Sequence, residues 1–161
     1  MSSKTVSRSK VEMIELVLPN DTNILGNLLG GRLMHWIDIA AALSAARHCN
    51  TVAVTAAVDD LNFHHPILLG NIVRLKAAVN RAFNTSMDVG VRVEVEEIAT
   101  GNIIHTNSAY LTFVSIDNET KRPARVPEII PESDVEKRRY EQALRRRQQR
   151  LSEKHGIIHT D

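Results

Sequence analysis

The stretch Gly30-Gly-Arg-Leu-Met-His-Trp-Ile-Asp38-Ile-Ala-Ala-Ala-Leu-Ser-Ala-Ala-Arg-His48 decides how this chain folds. Leu33, Met34, Ile37, Ala40, Ala41, Ser44 and Ala45 recur at i, i+3, i+4, i+7 spacing, and the alanine content favours helix, so one long helix is predicted from Gly31 to about His48. Ile39, Ala42 and Leu43 widen the apolar stripe, so the helix should be buried on most sides. Asp38 is its only acid. A carboxylate on such a helix is costly unless it is paired, hydrogen-bonded or used, and a contact to Arg47, His48 or a loop backbone would explain it as well as chemistry would.

A buried helix needs a sheet around it. Upstream, Val11 to Leu18 reads as a short strand, stopped by Pro19 and the turn-forming run Asn20 to Asn23. Downstream, four strands are predicted over Thr51 to Phe63, Ile72 to Phe83, Thr85 to Ile98 and Asn102 to Ile116, with turn signals at His65-Pro66, Asn84 and Thr100-Gly101. The clearest sends Met87, Val89, Val91, Val93 and Val95 one way and Asp88, Arg92, Glu94 and Glu96 the other, the pattern of a half-exposed antiparallel strand. Asn118 to Pro131 is a proline-punctuated loop, and Glu132-Ser133 opens a charged helix reaching about His155. The result is an α+β fold with an antiparallel five-stranded sheet wrapped around one long helix, plus a charged C-terminal helix. Such a sheet covers one side of its helix, so a second copy is expected on the open side.

Composition narrows the function. At 161 residues and 43% hydrophobic content the chain fits one domain with a real core. Cys49 is the sole cysteine, which rules out an internal disulfide, a zinc ribbon or a CxxC redox pair. The polar opening, Met1 to Lys10, lacks the apolar centre of a signal peptide, and no later run approaches the ~18 apolar residues of a membrane span, so a cytoplasmic protein without membrane contact is expected. Net charge is +1, yet residues 132–154 hold eight Lys/Arg against five Asp/Glu. The excess cations lie in the tail and not on the domain, so no nucleic acid is expected as partner. That tail reads foremost as a solvated helix lying over the sheet or a neighbouring subunit. Contacts to the phosphates of a small ligand or a weak nucleic-acid patch are its sharper readings.

Asn23, Gly26, Asn27, Gly30 and Gly31 form a glycine-rich lead into the helix, whose first amides and positive dipole end could hold a carbonyl oxygen as charge develops on it. Asp38 lies about ~10 Å further along the axis. His64-His65, His35, His48 and His105 suggest no metal site, because adjacent strand histidines point to opposite faces and no acid stands at ligand spacing. Ser44 lacks a nucleophile elbow, and Cys49 reads as a packed thiol.

Pro19-x-Asp21-Thr22-Asn23-x-x-Gly26-Asn27-x-x-Gly30-Gly31-x-x-Met34-x-Trp36-x-Asp38 closely resembles the acyl-CoA hydrolase branch of the hotdog-fold thioesterases. The likeness continues through Val54-Thr55-Ala56, Phe63-x-x-Pro66-x-x-x-Gly70, Thr85-Ser86-Met87 and Ala109-Tyr110-x-Thr112-Phe113, and spans roughly residues 11–150. It implies a hotdog domain over residues 11–131, preceded by a poorly ordered start (1–10) and followed by the basic helix and tail (132–161). It further implies hydrolysis of acyl-CoA to free acid and coenzyme A without a cofactor, coenzyme A being part of substrate and product. Homodimers assembled as trimers of dimers, hence hexamers, would carry the sites at the dimer interface. By position Asn27 and Asp38 match the paired catalytic residues, Asp38 as general base or nucleophile and Asn27 from the partner subunit. Asn23, Gly30 and Gly31 would hold the substrate and its oxyanion, and Asn84, Thr85 and Ser86 the coenzyme A chain. Phe83-Asn84 stands where a glycine and a basic residue are more usual, which removes one expected phosphate contact, and Leu29 replaces a common Phe. The alternative functions are a non-catalytic acyl-CoA or coenzyme A binding module and an enoyl-thioester hydratase, for which His35 is poorly placed.

Overall fold

Leu33, Trp36, Ile37, Ala40, Ala41 and Ala45 are all buried along one side of a twenty-residue helix, α1 (Gly30–Cys49), as their spacing requires. In the computed structural model, which describes residues 1–59 and 61–158, this side lies in the concave face of a five-stranded antiparallel sheet. The strands are β2 (Val11–Leu16), β3 (Val52–Asp59), β4 (Ile72–Ala82), β5 (Ser86–Glu96) and β6 (Ile103–Ile116), in the order β2-β4-β5-β6-β3. Val73, Leu75, Val79, Met87, Val89, Val91, Val93, Leu111 and Phe113 supply the sheet's half of the core. This is the α+β architecture that the sequence predicts. The far side of α1 stays open, with Leu43 47% exposed, so the helix is less enclosed than its composition suggests.

The start of the chain carries structure that its polar composition does not announce: β1 (Lys4–Thr5) pairs in parallel with β7 (Ile129–Ile130), and Val6 and Ser9 are buried in the short 3-10 turn that follows. The cause is polar and not periodic. Ser9 Oγ accepts from the Val79 amide at 2.9 Å where β4 is irregular, Ser44 Oγ donates to the Ser9 carbonyl at 2.7 Å, and Lys4 Nζ bonds the His48 carbonyl at 2.7 Å, where a cation suits a helix C-terminus. A run of serines and lysines gives no hydrophobic signal of such anchoring.

The strand expected over Thr51 to Phe63 stops at Asp59; residue 60 lies outside the described residues, and Leu61 to Pro66 leave the sheet, with the Asn107 amide bonding the Asn62 carbonyl. The tail forms α2 (Asp134–Ile158), and residues 159–161 of the expected tail are outside those described. It lies over the convex face of the sheet, with its own Ala143 fully buried in the contact. Asp88, expected on a half-exposed face, is therefore only 3% exposed. No helix among the described residues is long and apolar enough to cross a membrane.

His48 ends the buried side of α1. Its Nε2 stands 2.6 Å from the Pro127 carbonyl and must donate, while Nδ1 is buried with no hydrogen-bond partner among the described residues. Burial pushes the imidazole below its ordinary value, the Pro127 carbonyl opposes this, and Lys4 adds to it. The folded pKa thus lies below the unfolded one of about 6.5, so the folded state binds fewer protons as pH drops. The contribution of neutral His48 is whole above that unfolded value and is lost as pH falls toward the folded one. Urea midpoints should fall between neutral and mildly acidic pH, and His48→Gln, which keeps a donor to Pro127, should flatten that slope; an unchanged slope would exclude His48 as its source.

Candidate functional site

The loop before α1 is built as an asparagine-centred turn. Asn23 Oδ1 accepts from the amides of Leu25 (2.9 Å) and Asn27 (3.1 Å), the Gly26 amide donates to the Asn23 carbonyl at 3.0 Å, and Gly26 takes φ +78°, a conformation suited to glycine. The turn is tied to the segment after Pro66 by Leu28 N to the Ile67 carbonyl (2.6 Å) and Leu69 N to the Gly26 carbonyl (3.0 Å). Asp21 is consumed by structure: it accepts from the Leu18 amide at 2.9 Å and pairs with Arg32 at 3.2 Å, fixing the loop to the first turn of α1.

Between these segments lies a cleft of about 340 Å³, whose lining includes Asn23, Asn27, Gly30, Leu33, Phe63 and Ile67. Three of the expected site residues therefore meet there. With Asn23 Oδ1 held by two amides, its NH₂ group is the end left to face a ligand. The helix N-cap is Leu29, which makes no side-chain cap, and among the described residues the amides of Gly30 and Gly31 find no acceptor. A Cβ on Gly30 would meet the Phe63 ring at 3.5 Å, whereas one on Gly31 would meet nothing within 4 Å. The bare backbone at Gly31 thus leaves a clearance that packing within the chain does not demand.

Asp38 is not part of this cleft. It lies about ~10 Å further along α1, half-buried, facing the edge strand β3, where Thr55 Oγ1 donates to Asp38 Oδ1 at 2.5 Å. No partner holds Oδ2 among the described residues, so one carboxylate oxygen is fixed and the other is free to take a proton or attack. Nothing local in the sequence marks Thr55 beyond its place in Val54-Thr55-Ala56, since contact between β3 and α1 is a matter of tertiary packing. Within one chain, Asn27 and Asp38 are not brought together.

The residues expected to hold coenzyme A divide. Asn84 is exposed and Thr85 half-buried in the turn between β4 and β5, but Ser86 is buried under α2. Its hydroxyl accepts from Arg147 at 3.3 Å, so it meets the tail helix instead of open solvent. Among the described residues no group of three or more His, Cys, Asp or Glu side chains could hold a metal.

Comparison with known proteins bears on this arrangement. A family model, Thioesterase superfamily, matches residues 25–102. Protein VdlD of Helicobacter pylori is 39% identical over 146 residues, covering 91% of this chain and 83% of that one. Among solved structures, an apo-hexameric acyl-CoA thioesterase is 38% identical with a TM-score of 0.91, covering 95% of this chain and 97% of its own. The acyl-CoA hydrolase of Staphylococcus aureus, solved with butyryl coenzyme A and coenzyme A, is 36% identical with a TM-score of 0.86 and 98% coverage of both chains. With an open helix N-terminus, a half-held carboxylate and these likenesses over nearly its whole length, the chain belongs to the thioesterase superfamily, among its acyl-CoA hydrolases.

Proposed function

We infer that the protein hydrolyses acyl-CoA to a free acid and coenzyme A, in a site that two copies of the chain complete. The carrying observation is the half-held carboxylate: Asp38, with Oδ1 engaged by Thr55 and Oδ2 free, in a chain whose helix N-terminus offers two unpaired amides. Asp38 takes a proton from water as it attacks the thioester carbonyl, or attacks directly. The amides of Gly30 and Gly31 meet the oxygen as it gains charge. The thiolate leaves without a strong general acid, its pKa being about 8.5. Water and Asp38 complete the reaction, so this chemistry calls for no metal or organic cofactor.

The separation of about ~10 Å between Gly31 and Asp38 keeps one thioester from touching both in a single chain. A second copy removes the difficulty if Gly30, Gly31 and the loop asparagine come from one chain and Asp38 with Thr55 from the other. Strand β3 is the natural seam: it is a sheet edge, and Val52, Val54 and Val58 are 56%, 45% and 42% exposed along it. Trimers of such dimers accord with the hexameric relative. The lone half-buried thiol Cys49 suits a reducing compartment, and we place the protein in the cytosol.

Alanine variants of an asparagine, an aspartate and a threonine of the Staphylococcus aureus hydrolase have been solved, the asparagine fifteen residues before the aspartate and the threonine seventeen after it. The same spacings here lead from Asp38 to Asn23 and Thr55. They favour Asn23 over Asn27 as the carboxamide that orients water or thioester, in keeping with its outward NH₂ group. A thiol-release assay over acetyl-, medium- and long-chain acyl-CoA tests the reading, and no release from any of them would refute it. In the same assay Asn23→Ala should lower turnover by about tenfold or more, as loss of an oriented donor does, and Asn27→Ala by less; the reverse order would return the role to Asn27.

A further inference from the structure

The cleft beside the N-terminus of α1 is not the end of the apolar space at that side of the molecule. Behind it lies a larger groove of about 600 Å³, and the two share His65 and Pro66 as a common wall. Leu68 and Leu69, Val95 of β5 with Ile98 beyond it, and Ile104 of β6 line the rest of the groove. Leu68, Leu69, Ile98 and Ile104 are all exposed, although each is a side chain whose burial is favourable. Among the described residues that line the groove, only His65 and Glu97 can ionise.

The backbone of the wall has no donors to spare. The Leu68 amide donates to Asn71 Oδ1 at 2.8 Å, the Leu69 amide to the Gly26 carbonyl at 3.0 Å, the Gly70 amide to the Val17 carbonyl at 3.0 Å and the Asn71 amide to the Leu68 carbonyl at 3.0 Å. Four consecutive amides thus offer nothing to an added strand, which a peptide or a second chain would need for its main-chain bonds. A hydrocarbon chain needs no polar partner, and apolar area is what the groove presents.

The direction of such a chain follows from the reacting end. With a thioester carbonyl at the amides of Gly30 and Gly31, the acyl group leads into the cleft between Leu33, Phe63 and Ile67 and then meets His65 and Pro66. A short acyl group stops there, and a long one crosses into the groove.

We propose that the groove beyond His65 and Pro66 seats the distal part of a long acyl chain, which makes long-chain acyl-CoA the substrate class of this site. The inference rests on the hydrolase reading for the thioester at the start of the chain. His65 and Pro66 act as a sill. A chain that ends before them gains only the cleft, whereas each methylene beyond them that leaves water adds about fourfold in affinity.

The test compares thiol release from butyryl-CoA and from myristoyl-CoA, the latter kept below its micelle concentration. Wild type should show the higher kcat/KM on myristoyl-CoA, and a preference for butyryl-CoA would overturn the groove. Leu69→Asp and Ile104→Asp each place a carboxylate on a different wall, at an exposed position that water already reaches, so the fold is kept. Either should lower kcat/KM for myristoyl-CoA about tenfold, chiefly through KM, and leave butyryl-CoA unchanged. Equal losses on both esters, or no loss on either, would refute the seat. So would a change of mass in light scattering, which would make the groove a contact between copies of the chain. Titration of myristate, the free acid, by calorimetry separates this inference from the hydrolase. Weaker myristate binding in both variants without hydrolysis by the wild type would sink the hydrolase and leave the groove, whereas hydrolysis with an unmoved chain-length profile would sink the groove and leave the hydrolase.

Discussion

Asp38→Ala should lower acyl-CoA hydrolysis by about a thousandfold, the scale expected when a general base or nucleophile is removed, with fold and assembly retained. Retention is expected because Asp38 is half-buried and its one partner is the hydroxyl of Thr55, which water can replace. Thr55→Ala leaves the carboxylate in place but frees its orientation, so a loss of about tenfold is expected, in kcat more than in KM. The two effects should not add, because Thr55 acts through Asp38. Circular dichroism and light scattering would check the fold and assembly, and a thiol-release assay the rate. Turnover by Asp38→Ala above about a tenth of wild type would exclude the mechanism. Single turnover in isotopically labelled water tests direct attack: label in Asp38 requires an acyl anhydride that water opens at the Asp38 carbonyl, whereas the released acid takes the label when water attacks the acyl carbon, in either route.

Arg146→Ala should be the most destabilising change on the tail helix. Asp88 has a side chain only 4% exposed, bonded by two of the three guanidinium nitrogens of Arg146, Nε and Nη2, and by the Asn80 amide at 3.0 Å. Removing the guanidinium leaves a carboxylate in a dry place with one donor, a loss of about 3 kcal/mol, or on the order of 10 °C in Tm for a chain of this size. The stack of Arg146 on Tyr110, 3.7 Å from the ring centroid, is lost as well. The neighbourhood has no slack: a Cβ on Gly90 would stand 2.8 Å from the Asn80 amide nitrogen, so this glycine makes room for the donor that Asp88 needs. Hydrogen exchange along α2 should quicken in Arg146→Ala. Adding Asp88→Asn should restore part of the stability, since the buried charge is then gone. A midpoint within about 0.5 kcal/mol of wild type would mean that the pair does not anchor the helix.

That α2 is held by charge is why the sequence could not place it. Its apolar residues are few, and among the described residues Ala143 is the one fully covered, so periodicity leaves open whether it rests on the sheet or in solvent. Asp88 alternates with valines in the way of a solvent-facing acid, and only the crossing of α2 turns that position into a buried one. Likewise the N-terminal strand has no pattern of its own, because Ser9 and Lys4 are tied down by hydrogen bonds to groups 35 to 70 residues away.

By itself the sequence determined the long helix, the order of the five strands around it, their spans apart from the end of β3, and the glycine-rich lead into the helix that carries Asp38, since these follow from local spacing and turn chemistry. It also carried the likeness to acyl-CoA hydrolases. Tertiary structure decided what distance along the chain hides: Asp38 meets Thr55, Asn23 spends its side-chain oxygen on its own turn, and the open helix end borders a cleft that Asp38 does not line. The physical reason is the same throughout. Periodicity reports which face of an element is apolar, but a polar contact between distant elements depends on where two backbones cross, and no local pattern records that.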